Sequence, residues 1–247
     1  MNSEFEISNW ESGTSSMMGK TSEPSGAVGD ALRALLATRG RVLPPRLEAP
    51  RERRFNQITA VGCRLLFEHG YAGMTMRQIA ARLRMKAASL YYHFPSKQHI
   101  LFDVMRATAS ELLEGLRRIA ESDDGPEQQL DAAIRWHVLF HTQKREEAFV
   151  SHSELRSLEP ENLKAILKLR REYDRLFDAI LKRGQRQGVF EIEDVSVVRN
   201  AILTMCTATG SWFSPQGRLT AEQVADQIRN FVRAALLKRN GARAPKA

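Results

Sequence analysis

From residue 51 onward one pattern organises the chain: apolar side chains three and four positions apart, interrupted at glycines, prolines and short polar stretches. That spacing matches the 3.6-residue turn of a helix with one buried face, and no segment shows the alternation of a half-buried strand. The chain is therefore expected to be all-α. Ile58, Val61, Leu65 and Leu66 predict a helix over 51–69, stopped by Gly70. Thr75 begins Thr-Met-Arg-Gln, in which the Gln78 side chain can reach back to the cap residue, so a short helix over 76–83 should follow. After a turn at Arg84 and Met85, a third helix over 86–93 buries Leu90, with Phe94 beside it; Pro95 breaks it, and Ser96 is placed to cap a long helix over 97–121. Three helices so close in sequence, the last two joined by a short turn, make a helix-turn-helix. Further helices are expected over 126–142, 145–157, 160–187, 194–213 and 220–239.

Charge separates this module from the rest. Residues 51–98 hold nine Lys or Arg against Glu52 and Glu68, whereas residues 1–50 come to −1 and residues 99–247 to +2. A basic excess confined to one small module suits duplex DNA, because each phosphate it neutralises releases condensed counterions. The hydrophobic share of 43% is enough to build a core, yet no run of about 18 apolar residues offers a membrane span. With Glu4, Glu6 and Glu11 where a secretory signal wants a basic start, a cytoplasmic protein is expected. The two cysteines, Cys63 and Cys206, have no zinc or redox spacing and read as reduced core thiols. Residues 1–50 are expected to be a disordered extension apart from a short helical piece near 30–38, residues 51–98 the DNA-binding domain, residues 99–239 an effector-binding and dimerisation domain, and residues 240–247 a disordered tail. Arg39, Arg41, Arg51, Arg53 and Arg54 are either a solvated linker or a minor-groove arm.

The aromatic run Leu90-Tyr91-Tyr92-His93-Phe94 fits a recognition helix. Leu90 and Phe94, four apart, lock the short helix to its core, while Tyr92 and His93 can donate O–H and N–H to phosphate oxygens. Tyr91 can pack its ring inward and still reach DNA with its hydroxyl. Ser96 and Lys97 would set a helix N-terminus and an ammonium beside another phosphate.

Residues 55–101, with "MRQIA", "LYYHF" and "SK" in that order and spacing, resemble the DNA-binding domain of the TetR family of transcriptional repressors. The resemblance implies an all-helical homodimer, an N-terminal domain that binds a palindromic operator on double-stranded DNA, and a C-terminal inducer pocket. It places Thr75, Arg77, Tyr92, His93 and Lys97 at phosphate-contacting positions and Lys86, Ala87, Ala88 and Tyr91 at base-reading ones. Arg84 stands where the family usually has Gly, so the turn either avoids the left-handed conformation or accepts strain. Lys86 stands where the family often has Ser, which removes a helix cap and adds a charge.

In the C-terminal half, Val195, Val198, Ile202, Met205, Thr209 and Trp212 form one apolar stripe, and Ala221, Val224, Ile228, Phe231 and Ala235 another. The resemblance implies that these helices pair with their copies in a four-helix dimer interface, with Val198, Ile202, Met205, Val224, Ile228, Phe231 and Ala235 as contacts; the protomer's own core is the other use for them. His137 and His141 lie one helical turn apart and invite a metal reading that His152 and Glu154 would complete. No third ligand is fixed by spacing, and pocket-lining groups or packed histidines serve equally; no metal or cofactor is expected. Residues 153–177 and 212–225 resemble TetR regulators of fatty-acid, aromatic or steroid degradation, many of which respond to acyl-CoA thioesters. That resemblance implies a small hydrophobic effector, such as an acyl-CoA, in a pocket drawn from Phe102, Met105, His137, Phe140, His141, Met205, Thr209 and Trp212, with Arg156 or Arg170 at its mouth. No catalytic triad, phosphate loop or paired-carboxylate motif points to an enzyme. A DNA-scaffolded interaction factor without an inducer is the rival reading.

Overall fold

The structure, a computed structural model, describes residues 50–237. The helical piece expected near 30–38, the arginines before residue 50 and the C-terminal tail lie outside the described residues. Helix α1 (Pro50–Gly73) runs to Gly70, whose φ of 66° breaks it and sets off a last short turn. Helix α2 (Met76–Arg82) and helix α3 (Ala87–His93) complete the helix-turn-helix. Helices α4 (Lys97–Ala120), α5 (Pro126–Gln143) and α6 (Arg145–Ser153) follow, then a 3-10 turn (Leu155–Ser157), α7 (Pro160–Arg186), α8 (Val195–Trp212) and α9 (Ala221–Leu236). Strand pairing among the described residues is limited to one antiparallel bridge, Phe190 with Leu237.

Two apolar cores hold these helices. One joins Ile58, Leu65 and Leu66 of α1, Ile79 of α2, Leu90 of α3 and Phe94 to Ile100, Leu101, Val104 and Met105 of α4. The other joins Leu113, Leu116 and Ile119, further along α4, to the inner faces of α5, α7, α8 and α9. Helix α4 therefore belongs to both cores; its 24 residues make a strut about 36 Å long at 1.5 Å per residue. Val150 of α6, Leu158 and Ile166 of α7 also enter the first core, so the DNA-binding module is packed against the effector half. Gly115 is what lets α4 approach α5: a Cβ there would lie 2.2 Å from the Trp136 ring. The indole Nε1 of Trp136 donates to the Leu112 carbonyl at 3.0 Å across the same contact.

The helix-turn-helix has the expected cap at Thr75, whose hydroxyl accepts from the Gln78 N–H while the Gln78 side chain accepts from the Thr75 N–H at 2.7 Å. Helix α3 starts at Lys86 without a side-chain cap. One local expectation needs correction, and one choice left open is decided. Ser96 does not cap α4; its hydroxyl is engaged by Nδ1 of His99 at 2.9 Å instead. Arg84 does not avoid the left-handed region but adopts φ 50°, so the turn accepts the strain that glycine would relieve.

The apolar stripes of α8 and α9 are used in part by the protomer's own core. Ile202, Val224 and Ile228 are buried in the protomer's own core, and Val198 and Met205 pack against it. Phe231 and Ala235 remain exposed. The most regular apolar stripe must leave water within one chain before any partner arrives, so it is taken by the protomer core. The outward face of α8 instead carries Val197, Ala201, Thr204, Ala208 and Trp212, small side chains flanked by two large ones, and α9 adds Phe231, Ala234 and Ala235 beside it.

Candidate nucleic-acid interface and effector cavity

Helix α3 divides cleanly into a buried and a free face. Leu90 is wholly buried, and Phe94 stacks on Phe55 at 4.8 Å, so the seven-residue helix is pinned at both of its inward positions. On the other side Lys86, Ala87, Ala88, Tyr91 and Tyr92 are exposed, as are Arg77 and the cap residue Thr75 on α2. Tyr92 is 75% exposed, a position a large aromatic ring rarely holds unless its surface has a use. His93 is half-buried with its ring edge-on to Tyr92 at 5.4 Å. The two alanines leave room for a groove floor, and Lys86, Tyr91 and Tyr92 supply donors around it.

Lys97 has an intramolecular tie besides the phosphate position expected of it. Its ammonium donates to the carbonyls of Tyr71 at 2.9 Å and Met74 at 3.3 Å, and lies 4.2 Å from the centre of the Tyr71 ring. The cause is local: a cation is repelled by the N-terminus of its own helix and drawn to the carbonyl-bearing turn that closes α1. Lys97 therefore ties the turn before α2 to the start of α4, with one of its three N–H donors left for a phosphate. Lys97→Ala is expected to lower thermal stability by about 1–2 kcal/mol and weaken binding to every DNA sequence alike, with the salt slope falling by roughly one unit. Denaturation and salt-titrated anisotropy on specific and scrambled duplexes check both halves; an unchanged Tm would refute the tie.

The second site is a cavity of about 580 Å³ between α4, α5, α6, α7 and α8. Of the residues expected there, Met105, His137, Phe140, His141 and Arg170 line it. Five do not. Phe102 packs against the DNA-binding core, Arg156 projects into solvent from the 3-10 turn, and Met205 turns to the effector core. Thr209 is buried with its hydroxyl on the Cys206 carbonyl, and Trp212 lies 59% exposed on the outer face of α8. Helical rotation explains the last three: residues 205, 209 and 212 face away from the side of α8 that reaches the cavity through Asn200, Leu203, Thr204 and Thr207.

Inside, the rings of His137 and His141 lie nearly parallel, 4.3 Å apart. Both nitrogens of His137 are engaged, Nδ1 with the Tyr173 hydroxyl at 2.8 Å and Nε2 with Thr207 Oγ1 at 2.9 Å. Nδ1 of His141 donates to the His137 carbonyl at 2.9 Å. Burial pushes the His141 imidazole down to about 4, with the His137 carbonyl pulling the other way, and drives His137 well down in the same sense. The pair is thus neutral at physiological pH. Among the described residues no three or more His, Cys, Asp or Glu side chains are grouped to hold a metal ion.

The cavity wall is joined to the DNA-binding module. Arg170 reaches from α7 to donate to the Ser151 carbonyl at 2.6 Å, at the end of α6. Just past it, Gln98 in the first turn of α4 donates to the Ser157 carbonyl at 2.5 Å and accepts from the Glu159 N–H at 3.2 Å. On the far side of α6, Glu146 pairs with Arg64 of α1 and Phe149 meets Phe67 edge-on at 5.2 Å. Gln98, Arg64, Glu146, Ser151 and Tyr173 carried no signal in the sequence, since each acts through a partner distant along the chain.

A free-faced helix-turn-helix, braced by one continuous helix against a cavity-bearing helical body, defines the class as a DNA-binding regulator with an attached ligand-binding domain. Residues 58–104 match bacterial regulatory proteins of the tetR family, and residues 123–236 match the tetracyclin repressor-like C-terminal domain. The chain belongs to the TetR family of transcriptional regulators, a non-enzymatic class. It is 24% identical over 187 residues to the HTH-type transcriptional repressor KstR2 of Mycobacterium tuberculosis, covering 75% of this chain and 94% of that protein. Among solved structures, AibR in complex with isovaleryl coenzyme A and operator DNA superposes with a TM-score of 0.67 at 29% identity, over 72% of this chain and 97% of that one. The TetR family transcriptional regulator PfmR of Thermus thermophilus superposes with a TM-score of 0.68 at 29% identity, over 73% and 99%.

Proposed function

We propose that this TetR-family repressor is a cytoplasmic homodimer that binds a palindromic operator and releases it when an acyl-CoA or similar apolar metabolite enters the cavity. The observation that carries this reading is the placement of Arg170: a half-buried guanidinium in a largely apolar cavity, holding the Ser151 carbonyl on the strand of contacts that leads to Gln98. An anionic or carbonyl group drawn to Arg170 competes for that guanidinium, loosens the end of α6 and displaces the start of α4, which follows the recognition helix directly. AibR, solved with isovaleryl coenzyme A and DNA, supports the ligand class. Dimerisation would use the outward face of α8, where Ala201 allows close helix approach, flanked by Val197, Trp212 and Phe231.

Fluorescence anisotropy on DNA tiled from beside the protein's own gene tests the reading. One palindromic tile should bind tightly, and members of an acyl-CoA panel should release it while raising the melting temperature. Equal, weak, salt-dependent binding to all tiles, or no ligand-linked change in affinity, would favour a DNA-scaffolded factor instead. Gln98→Leu tests the route: operator and ligand affinities should each stay within about threefold, while the shift in one caused by the other, typically about 5–150-fold in such systems, shrinks towards one. Retention of the full shift would remove Gln98 from the route.

A further inference from the structure

Two polar atoms in the cavity wall lack partners that their surroundings call for. His141 is held in one tautomer, because Nδ1 must carry the proton it gives to the His137 carbonyl. Nε2 is then a bare acceptor, on a side chain that is almost wholly buried and lines the cavity. Ser151, on α6 and also in the wall, is nine-tenths buried, and its hydroxyl has no hydrogen-bond partner among the described residues. Its own carbonyl is taken by Arg170. The residue after it, His152, brings its ring to 5.9 Å from that of His141, so α6 lies beside α5 along this part of the cavity wall. Around them Met105, Leu112, Phe140, Ile166 and Leu203 make the wall apolar. An apolar ligand with no polar group facing them would seal both atoms away from water and leave them unpaired.

We infer that the cavity selects an apolar ligand bearing a hydroxyl group, whose O–H is donated to Nε2 of His141 and whose oxygen accepts from the Ser151 hydroxyl. A hydroxyl matches both needs at once: it donates to the imidazole, which cannot donate at that nitrogen, and accepts from the serine, which turns about χ1 to meet it. The ligand class narrows accordingly from acyl groups in general to hydroxylated ones. The inference rests on the effector reading above for the role of the cavity but not for the thioester, and the experiment separates the two.

Operator release and thermal shift are measured with four probes: dodecanoyl-CoA, 3-hydroxydodecanoyl-CoA, and the two corresponding free acids. The hydroxylated member of each pair should act at a concentration at least about tenfold lower, because the analogue leaves buried groups unpaired. In His141→Phe that ratio should collapse towards one, because the apolar analogue no longer leaves an imidazole nitrogen unpaired. Ser151→Ala removes an unpartnered group, so its melting temperature should not fall, and its ratio should drop by about half on a logarithmic scale. It serves if the phenylalanine variant does not fold. Equal potency within each pair for the wild-type protein overturns the inference and means that water serves the two atoms. A ratio that survives both substitutions also overturns it, since the hydroxyl is then read elsewhere in the wall, where Asp174 and Asn200 also offer acceptors. Activity confined to the hydroxylated free acid keeps the inference and rejects the thioester; no response to any of the four rejects both.

Discussion

Phe94→Ala should cost the protein about 3–5 kcal/mol, the usual range for deleting a buried phenylalanine ring. Phe94 is 1% exposed and stacks on Phe55, in the core shared by α1, α2, α3 and the first half of α4. The recognition helix has only seven residues, too few to persist without its packing, and Leu90 and Phe94 are its inward anchors. The loss should appear as a fall in melting temperature on the order of 10 °C and as operator affinity lowered more than in any single variant of the exposed face. Ligand-free denaturation followed at the far ultraviolet, with anisotropy on the cognate duplex, measures both. A loss below about 1 kcal/mol would show that the helix is held by other means.

The second large effect is acid sensitivity. His141 is held down to about 4 in the folded chain, against an ordinary value of 6.5. The unfolded chain therefore binds more protons between those values, and stability rises with pH across that window. The contribution is fully present above pH 6.5 and is lost as pH falls towards 4; a shift of this size amounts to about 3 kcal/mol. His137, displaced in the same direction, deepens the loss. Asp131 and Asp174 act oppositely, because burial raises their carboxyls and makes the folded chain the better proton binder. Urea midpoints between about pH 7.5 and 5 stay mostly above the carboxylate range, so the histidines should dominate and the midpoint should fall with acidification. In His141→Phe that slope should flatten. An equal slope in both proteins would mean that the imidazole is protonated as easily folded as unfolded.

Most helices were legible because their signals are local. Thr75 and Gln78, the Gly70 stop, Pro95, and Pro126 and Pro160 at helix starts each act within a few residues, and the helix limits follow them closely. The exposed face of α3 was legible for the same reason: Leu90 and Phe94 fix which side turns inward, leaving Lys86, Tyr91 and Tyr92 outside. The cavity was legible only on α5, where the spacing of His137, Phe140 and His141 settles the side, and at Met105 and Arg170. On α8 the apolar stripe gave the wrong face, because periodicity shows which residues leave water and not what covers them. Lys97 was legible only in part, for a related reason. Its charge was visible, but the carbonyls of Tyr71 and Met74 that attract it are set by the bend at Gly70.

Arg84, with its backbone at φ 50°, sits exposed between α2 and α3. Glycine at that position would relieve about 1–2 kcal/mol of backbone strain, less the greater freedom it gives the unfolded chain. It would also take one positive charge from the module that meets the phosphates. Selection of variants for heat resistance alone should therefore favour Arg84→Gly, and the survivors should hold DNA less firmly as salt is raised. Robustness and grip are opposed at this one residue, so the temperature at which the chain unfolds and the ionic strength at which it leaves DNA cannot be tuned independently there.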